Sequence, residues 1–377
     1  MELRLVRQIA DIDRQAWNAL VVDNNPFLRH EFLQALEDYK CVSAEFGWYP
    51  QHVALYEAGR LIAAMPLYTK TNSYGEFVFD FSWAQAWQSV GLPYFPKWVT
   101  SIPYAPVTGS RFLIEPEQNA NHIRALVVQH LQKLAVEQQV SGWHILFADA
   151  DDQAWLNQQA DWLIRHDCHF HWFNRDYQTF DDFLAQLKPK KRKNIKQERR
   201  KVQDAGVTFR VLNGHSASEQ DWQDFAHFYQ KTFDEKHSLA TLNQGFFQAV
   251  AQALPEQVLL VMAQRDGKNI AGSLMFHSDS TLFGRHWGCI EEVNSLHFEA
   301  CYYQGIEFAI NQGLQKFEPG AGGEHKIARG FEPVITQSAH WLADNPFEQG
   351  IRGFLADEKR MIDDYFQDAQ RHSPFAE

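Results

Sequence analysis

Cysteine is scarce. Four are present in 377 residues (Cys41, Cys168, Cys289, Cys301), and none forms a Cys-x-x-Cys pair. That excludes a disulfide framework of the small secreted kind and fits reduced thiols. His297 and Glu299 stand near Cys289 and Cys301, but the spacing matches no common zinc pattern. The His-x-Glu at 297–299 also lacks the Pro-Cys-x-x-Cys partner of zinc deaminases, so no metal is expected. No apolar run approaches the roughly 20 residues that span a bilayer. The opening Met-Glu-Leu-Arg-Leu-Val-Arg-Gln has no apolar signal core, so a cytoplasmic location is expected. The phosphate loop, the Gly-x-Ser-x-Gly elbow, and the kinase and Rossmann fingerprints are all missing. Nucleotide hydrolysis, serine hydrolysis and dinucleotide redox chemistry are thereby disfavoured. An excess of positive charge is missing too: 47 Asp and Glu outweigh 35 Lys and Arg, for a net charge of -12. The surface as a whole is not a nucleic-acid binder, and anion binding needs a local basic patch.

Aromatic residues, by contrast, are abundant, with 29 Phe, 12 Trp and 12 Tyr. They suit large aromatic cores or aromatic-lined clefts. The length predicts two domains, with a boundary between 175 and 176. The first half reads as a strand at Glu2–Val6, helices at 11–20 and 30–39, and strands at 52–56 and 60–69. A proline-rich loop at 101–109, an amphipathic helix at 119–138 and strands at 143–147 and 169–173 follow. The second half repeats this grammar. Helices at 179–187, 189–204 and 221–235 enclose a strand at 207–212. A meander at 257–264, 269–277 and 281–287 leads to a helix at 296–312. Short strands at 314–317 and 334–341 and a helical tail at 345–366 complete it.

Between Phe317 and Pro333 the chain reads Phe-Glu-Pro-Gly-Ala-Gly-Gly-Glu-His-Lys-Ile-Ala-Arg-Gly-Phe-Glu-Pro. Its glycines and prolines forbid a regular helix or a long strand and let backbone approach a ligand closely. Gly320, Gly322 and Gly323 would shape that approach. Glu324 and His325 are the candidates to handle a proton. Lys326 and Arg329 would bind a donor phosphate or an acceptor carboxylate. The plainer alternative is a turn-rich surface connection with solvated charges. Lys188–Lys201 carries nine Lys and Arg, Lys191 and Arg192 among them, against one acid, Glu198. Such a face suits phosphates of coenzyme A, a tRNA backbone or an anionic membrane surface; a merely solvated helix is the alternative. In Gly284-Arg-His-Trp-Gly288, alternation would set Arg285 and Trp287 on one face, lining a cleft, and His286 on the other. Glu299 and Tyr302 supply a carboxylate and a phenol, usable as base and acid or as helix packing. Tyr104, in the proline-rich loop, is a further binding candidate.

Several of these segments resemble the acyl-CoA N-acyltransferase (GNAT) superfamily and its FemABX-like branch. They are Asn25–Leu33, Ile102–Gly109, Lys190–Arg200, Phe233–His237, Leu296–Glu307 and the 317–333 loop. The whole chain is similar to a bacterial group of predicted N-acyltransferases associated with peptidoglycan biosynthesis and recognition. The resemblance implies an α/β (α+β) fold of two tandem GNAT-like domains, 1–175 and 176–377, each a mixed sheet flanked by helices. It implies an acyltransferase that moves an acyl or aminoacyl group from a CoA thioester or an aminoacyl-tRNA to an amine, with a cell-wall precursor as an acceptor. The donor would be a co-substrate, with no tightly bound cofactor. Partners left open are tRNA and a peripheral membrane surface. A non-catalytic module recognising a cell-wall peptide or glycan on the same fold is the alternative. The chain lacks the Arg/Gln-x-x-Gly-x-Gly/Ala loop of simple GNAT enzymes and the coiled-coil arm of some relatives.

Overall fold

The structure, a computed structural model, describes residues 1–376. The chain forms two compact units. Unit 1 holds Met1–Asp167 and Ile335–Asp364, and unit 2 holds Cys168–Val334 and the residues from Tyr365 on. The division differs from a single boundary at 175/176, because a late segment returns to the first unit. Ser338–Leu342 pairs antiparallel with Gly142–Leu146. Leu342, Ile351 and Leu355 bury beside Trp83, Trp87 and Leu163. A boundary drawn along the sequence cannot show such a return.

In unit 1, Glu2–Val6, His52–Glu57, Arg60–Met65 and Leu113–Ile114 form one small sheet. In its other sheet Trp48–Pro50, Tyr68–Lys70, Lys97–Thr100 and Gly142–Leu146 lie in that order. Pro66 splits what the sequence reads as one strand at 60–69 into Arg60–Met65 and Tyr68–Lys70. Lys97–Thr100 and Gly142–Leu146 run parallel, with Trp98 opposite Trp143. A parallel neighbour needs a crossover, and the helix Ala120–Glu137 lies on it. Asn119 caps that helix by accepting from the His122 amide, and Ile123, Val127, Leu131 and Ala135 form its buried stripe.

Unit 2 repeats the plan. Thr208–Leu212, Val258–Arg265, Lys268–His277 and Thr281–Cys289 form an antiparallel meander. Lys316–Glu318 then joins parallel to Thr281–Cys289, after a crossover through the helix at 296–311. The basic segment is a helix at Pro189–Asp204, as the sequence predicts. Three helices escape the sequence reading: Phe81–Ser89, Ala150–Leu156 and Gln244–Ala253. The aromatic helix Glu219–Glu235 sits against Gly288 so closely that a Cβ there would lie 2.1 Å from the Phe228 carbonyl oxygen.

That contact generates a prediction. Gly288→Ala should push the helix off the sheet and lower stability by about 2 kcal/mol or more. Urea unfolding of both proteins measures it, and an unchanged midpoint would show that the helix yields without strain.

Candidate active site

The site is built in unit 2 from the glycine loop upward. Gly320, Gly322 and Gly323 take φ of 93°, 70° and 93°, the left-handed region closed to most side chains. A Cβ on Gly323 would meet the His325 ring at 2.6 Å. The sequence reading excludes a regular helix here, yet the loop closes into a short 3₁₀ helix, Glu324–Arg329. Gly323 and Gly330, both at φ 93°, bracket it and confine the turn to six residues. This tight turn sorts the candidates. Glu324 and His325 are exposed, while Lys326 and Arg329 are buried.

A second element faces the loop. The helix at 296–311 contains a widened π turn over Glu299–Tyr303. Such turns rotate side chains out of the regular helical spacing and recur at functional sites. Here the turn brings the Tyr302 hydroxyl to 2.9 Å from His325 Nε2. It also sets the Tyr303 hydroxyl against Glu198. Glu198, the one acid in the basic run, accepts from Arg329 Nη2 at 2.6 Å and Nε at 3.2 Å. Arg329 Nη1 donates to the His325 carbonyl at 2.7 Å, and its guanidinium lies 3.4 Å from the centre of the Phe298 ring. The sequence reading names Glu198 only as the one acid of the basic run and Tyr303 only beside Tyr302 at the helix start, gives neither a bracing role, and passes over Phe298. A lone acid kept among nine bases is the signal that could have drawn attention to the first.

These contacts divide the sequence candidates. Arg329 spends its fork on Glu198 and the loop carbonyl, so it braces the site and is not open to a donor phosphate. Glu299 is buried and accepts from Arg199 Nε and Nη2 at 2.9–3.1 Å and from Gln304 Nε2 at 2.8 Å. It is an ion-pair anchor for the basic helix. Arg192 donates to the Leu187 carbonyl at 3.2 Å, and Lys191 is half-exposed on the same helix. His286 is half-buried and packed: it lies edge-on to Tyr229, 5.2 Å between ring centres, and burial pushes its pKa down to about 3. The strand register slips between Leu274 and Met275, opposite 284–286, so simple alternation does not hold there. Trp287 packs against His297 at 5.4 Å. Tyr104 belongs to unit 1, where its hydroxyl donates to the Cys41 carbonyl at 2.8 Å.

What remains together is His325, Tyr302, Glu324, Lys326 and Arg285. Burial and the nearby Arg329 and Lys326 charges lower the His325 pKa, so its imidazole is neutral at pH 7. Burial raises the Tyr302 pKa, so its phenol keeps its proton. Glu324 accepts from the Tyr365 hydroxyl at 3.1 Å. Lys326 Nζ donates to the carbonyls of Gly320 and Ala321 at 2.6 and 3.3 Å, with no carboxylate partner among the described residues. Burial, then the charge of Arg285, lowers its pKa to about 8. Burial likewise lowers Arg285 to about 10. A neutral base, a proton-bearing phenol and two electropositive side chains beside left-handed backbone can take up a proton and hold an anion.

A family model described as FemAB-like, peptidoglycan biosynthesis/recognition, matches residues 8–377. A sequence search of curated proteins gives no match. Among solved structures, FemX aligns over 93% of this chain and 100% of its own, at 11% identity and a TM-score of 0.54. A conserved protein of unknown function from Bacteroides thetaiotaomicron aligns over 91% and 100%, at 11% identity and a TM-score of 0.54. L-PGS from Bacillus licheniformis aligns over 88% and 96%, at 11% identity and a TM-score of 0.51. At such identities the likeness is one of fold. It agrees with the repeated plan of the two units: the fold is a tandem GNAT-like α/β pair.

Lys326 supplies a pH prediction. Its folded pKa, about 8, lies below the ordinary 10.5. Below pH 8 both states carry the proton and the burial penalty is felt in full. Between pH 8 and 10.5 the folded state gives up the proton first, so stability rises with pH. Wild type should therefore gain stability relative to Lys326→Met on going from pH 7 to pH 9.5, by urea unfolding. Parallel pH profiles for the two proteins would contradict the shift.

Proposed function

The chain belongs to the FemAB-like family of peptidoglycan biosynthesis/recognition, and we propose that it is an N-acyltransferase with its reaction centre at the glycine loop of unit 2. It would transfer an acyl or aminoacyl group from a CoA thioester or an aminoacyl-tRNA to an amine on a cell-wall precursor. The observation that carries this reading is the Tyr302–His325 pair, 2.9 Å apart, with the histidine exposed and its imidazole neutral.

Acyl transfer to an amine forms a C–N bond and breaks the C–S or C–O bond of the donor. One proton must leave the nitrogen and one must reach the departing thiolate or alkoxide. In the tautomer with the proton on Nε2, His325 Nδ1 takes the amine proton. Nε2–H then passes its proton to the Tyr302 oxygen as the phenol releases its own to the leaving group. Protons balance, His325 ends as the neutral Nδ1–H tautomer, and the pair is reset once Nδ1 gives its proton to solvent and Nε2 takes one back. Glu324, on the same exposed turn, is the alternative acceptor of the amine proton. Lys326 and Arg285 supply positive potential for the oxyanion or a donor phosphate. Gly320 and Gly322 let backbone close on the donor. The remaining exposed lysines of the basic helix, such as Lys190 and Lys193, would hold the donor's phosphates, with a contribution that weakens as salt is raised.

Donor binding is tested by thermal shift with CoA, acetyl-CoA, longer acyl-CoAs and charged tRNA at low and moderate salt. A ligand of the native state raises the melting temperature. One donor should do so, and transfer to a muropeptide amine with that donor should fall about 100-fold or more in His325→Ala and in Tyr302→Phe. Glu324→Ala should also lose activity with the fold retained. Full activity in both Glu324→Ala and His325→Ala would defeat the assignment. A shift with muropeptide and none with any donor would favour a recognition module.

A further inference from the structure

In unit 1 the segment from Lys70 to Lys97 turns the usual order of a surface loop inside out. Its charged residues are Lys70, Glu76, Asp80 and Lys97, and all four are buried. Lys97 Nζ donates to Glu76 at 2.8 Å and to Asp80 at 2.5 Å, and the Tyr94 hydroxyl donates to Asp80 at 2.6 Å. Lys70 Nζ donates to Asn72 Oδ1 at 3.1 Å and to the Tyr74 carbonyl at 3.2 Å. Large apolar side chains take the outside instead. Tyr74 is 71% exposed, Phe79 62% and Phe81 47%. The rings of Phe79 and Phe81 stack with centres 6.0 Å apart, and the Tyr74 ring lies 6.0 Å from Phe81. The helix Phe81–Ser89 buries Trp83 and Trp87 and exposes Ser82, Gln85, Gln88 and Ser89. Just past it, Val90 and Leu92 are exposed at 55% and 44%. The segment therefore offers water no charge of its own.

This inversion is held in place. Glu76 and Asp80 bracket Phe77–Phe79, so their shared bond to Lys97 fixes both ends of the arch that carries Phe79. A buried ion pair is weak evidence for stability, and its consequence here is geometric: both acids are drawn in while Phe79 stays out. Arg165 Nη1 also donates to the Phe79 carbonyl at 2.5 Å. Arg165 is itself paired with Glu358 at 2.7 Å.

We propose that the aromatic trio Tyr74, Phe79 and Phe81 is a docking surface for the interfacial layer of a lipid bilayer, with zwitterionic headgroups as the sufficient chemistry. Three features favour a bilayer. The trio exposes no charge, so it complements neither an acidic nor a basic protein partner. Its most exposed side chains project outward, a convex shape that enters a soft phase, whereas a peptide or small ligand needs a groove or pocket. With Val90 and Leu92 included, the apolar side chains expose roughly 500 Å², taking about 200 Å² for a whole aromatic residue. That is a large patch for a monomer, yet short of the roughly 800 Å² per partner of a stable dimer. Aromatic rings suit the headgroup layer, where the Tyr74 hydroxyl stays wet and the rings leave water. The contact stands apart from any acyl transfer in unit 2, and its test needs no donor.

Flotation of the full chain with phosphatidylcholine vesicles, at moderate and at high salt, is the experiment. The protein should float with the vesicles at both, since apolar insertion is not screened as charge attraction is. Phe79→Ser combined with Phe81→Ser should lower the partition coefficient about tenfold or more. Circular dichroism and melting temperature should stay near wild type, because both side chains are exposed. Val211→Ser, which removes an apolar side chain of 50% exposure in unit 2, should leave partition unchanged. Absence of binding to phosphatidylcholine would overturn the proposal, as would equal partition of wild type and the double variant. Binding confined to phosphatidylglycerol vesicles and lost at high salt would assign membrane contact to the basic helix instead. A lipid-free dimer that the double variant abolishes, seen by sedimentation equilibrium, would assign the trio to a second copy of this chain.

Discussion

The carboxylate of Glu198 is the point on which the arrangement of unit 2 depends. It accepts two donors from Arg329 on the glycine loop and one from Tyr303 on the π turn, while belonging to the basic helix. Three elements distant in sequence are thus fixed to one charged group. Charge-assisted bonds of this kind are shorter and stronger than neutral ones, and a network with every member satisfied holds one geometry. The position of the Tyr302–His325 pair follows from it. His325 is one residue from Lys326 and its carbonyl is bonded by Arg329; Tyr302 is adjacent to Tyr303. With Glu198 as the brace, neither ring of the 2.9 Å pair has to be held by the solvent-exposed loop alone.

This explains why so much of the candidate chemistry turns out to be support. A loop with four left-handed glycines is weakly determined by its own sequence, since glycine has many backbone states to lose on folding. Arg329 on Glu198 and on the His325 carbonyl, and Lys326 on the Gly320 carbonyl, each remove some of that freedom. The residues left outward, Glu324 and His325, stand on a turn whose supports are internal. Rigid support beneath them is what the proposed proton transfer would need, because a misplacement of about 1 Å can cost about 100-fold in rate.

The sequence shows the elements well where periodicity and breakers agree. Pro189–Asp204 follows from Pro189 at its first position and Gly206 past its end; the meander follows from its turns at 266–267 and 278–280. The glycine loop stands out as a candidate in the sequence because its composition is so irregular. Other features are carried by contacts at long range and have no local signature. The π turn is set by what Tyr303 and Glu299 meet, Glu198 and Arg199, about a hundred residues earlier. The same distance hides the division of labour between Arg329, spent on Glu198, and Lys326, which meets carbonyls. The return of Ser338–Leu342 to unit 1 is a pairing with Gly142–Leu146, which strand propensity alone cannot assign.

The two units share a plan, a parallel strand pair joined by a helical crossover, yet they treat a buried lysine in opposite ways. In unit 1, Lys97 meets two carboxylates from one short arch, and its pKa is raised even though it is wholly buried. Its charge is consumed in holding Glu76 and Asp80, which flank the apolar residues Phe77, Val78 and Phe79. In unit 2, Lys326 meets only carbonyl oxygens, beside a second cation, Arg285, and its pKa is lowered to about 8. A carbonyl dipole offsets less of the desolvation of an ammonium than a carboxylate does, so positive potential is left over at the glycine loop. Matched charge gives shape and unmatched charge gives affinity for an anion. On that ground an anion is favoured at the glycine loop of unit 2 and not beside Lys97 in unit 1, although both units share the same plan.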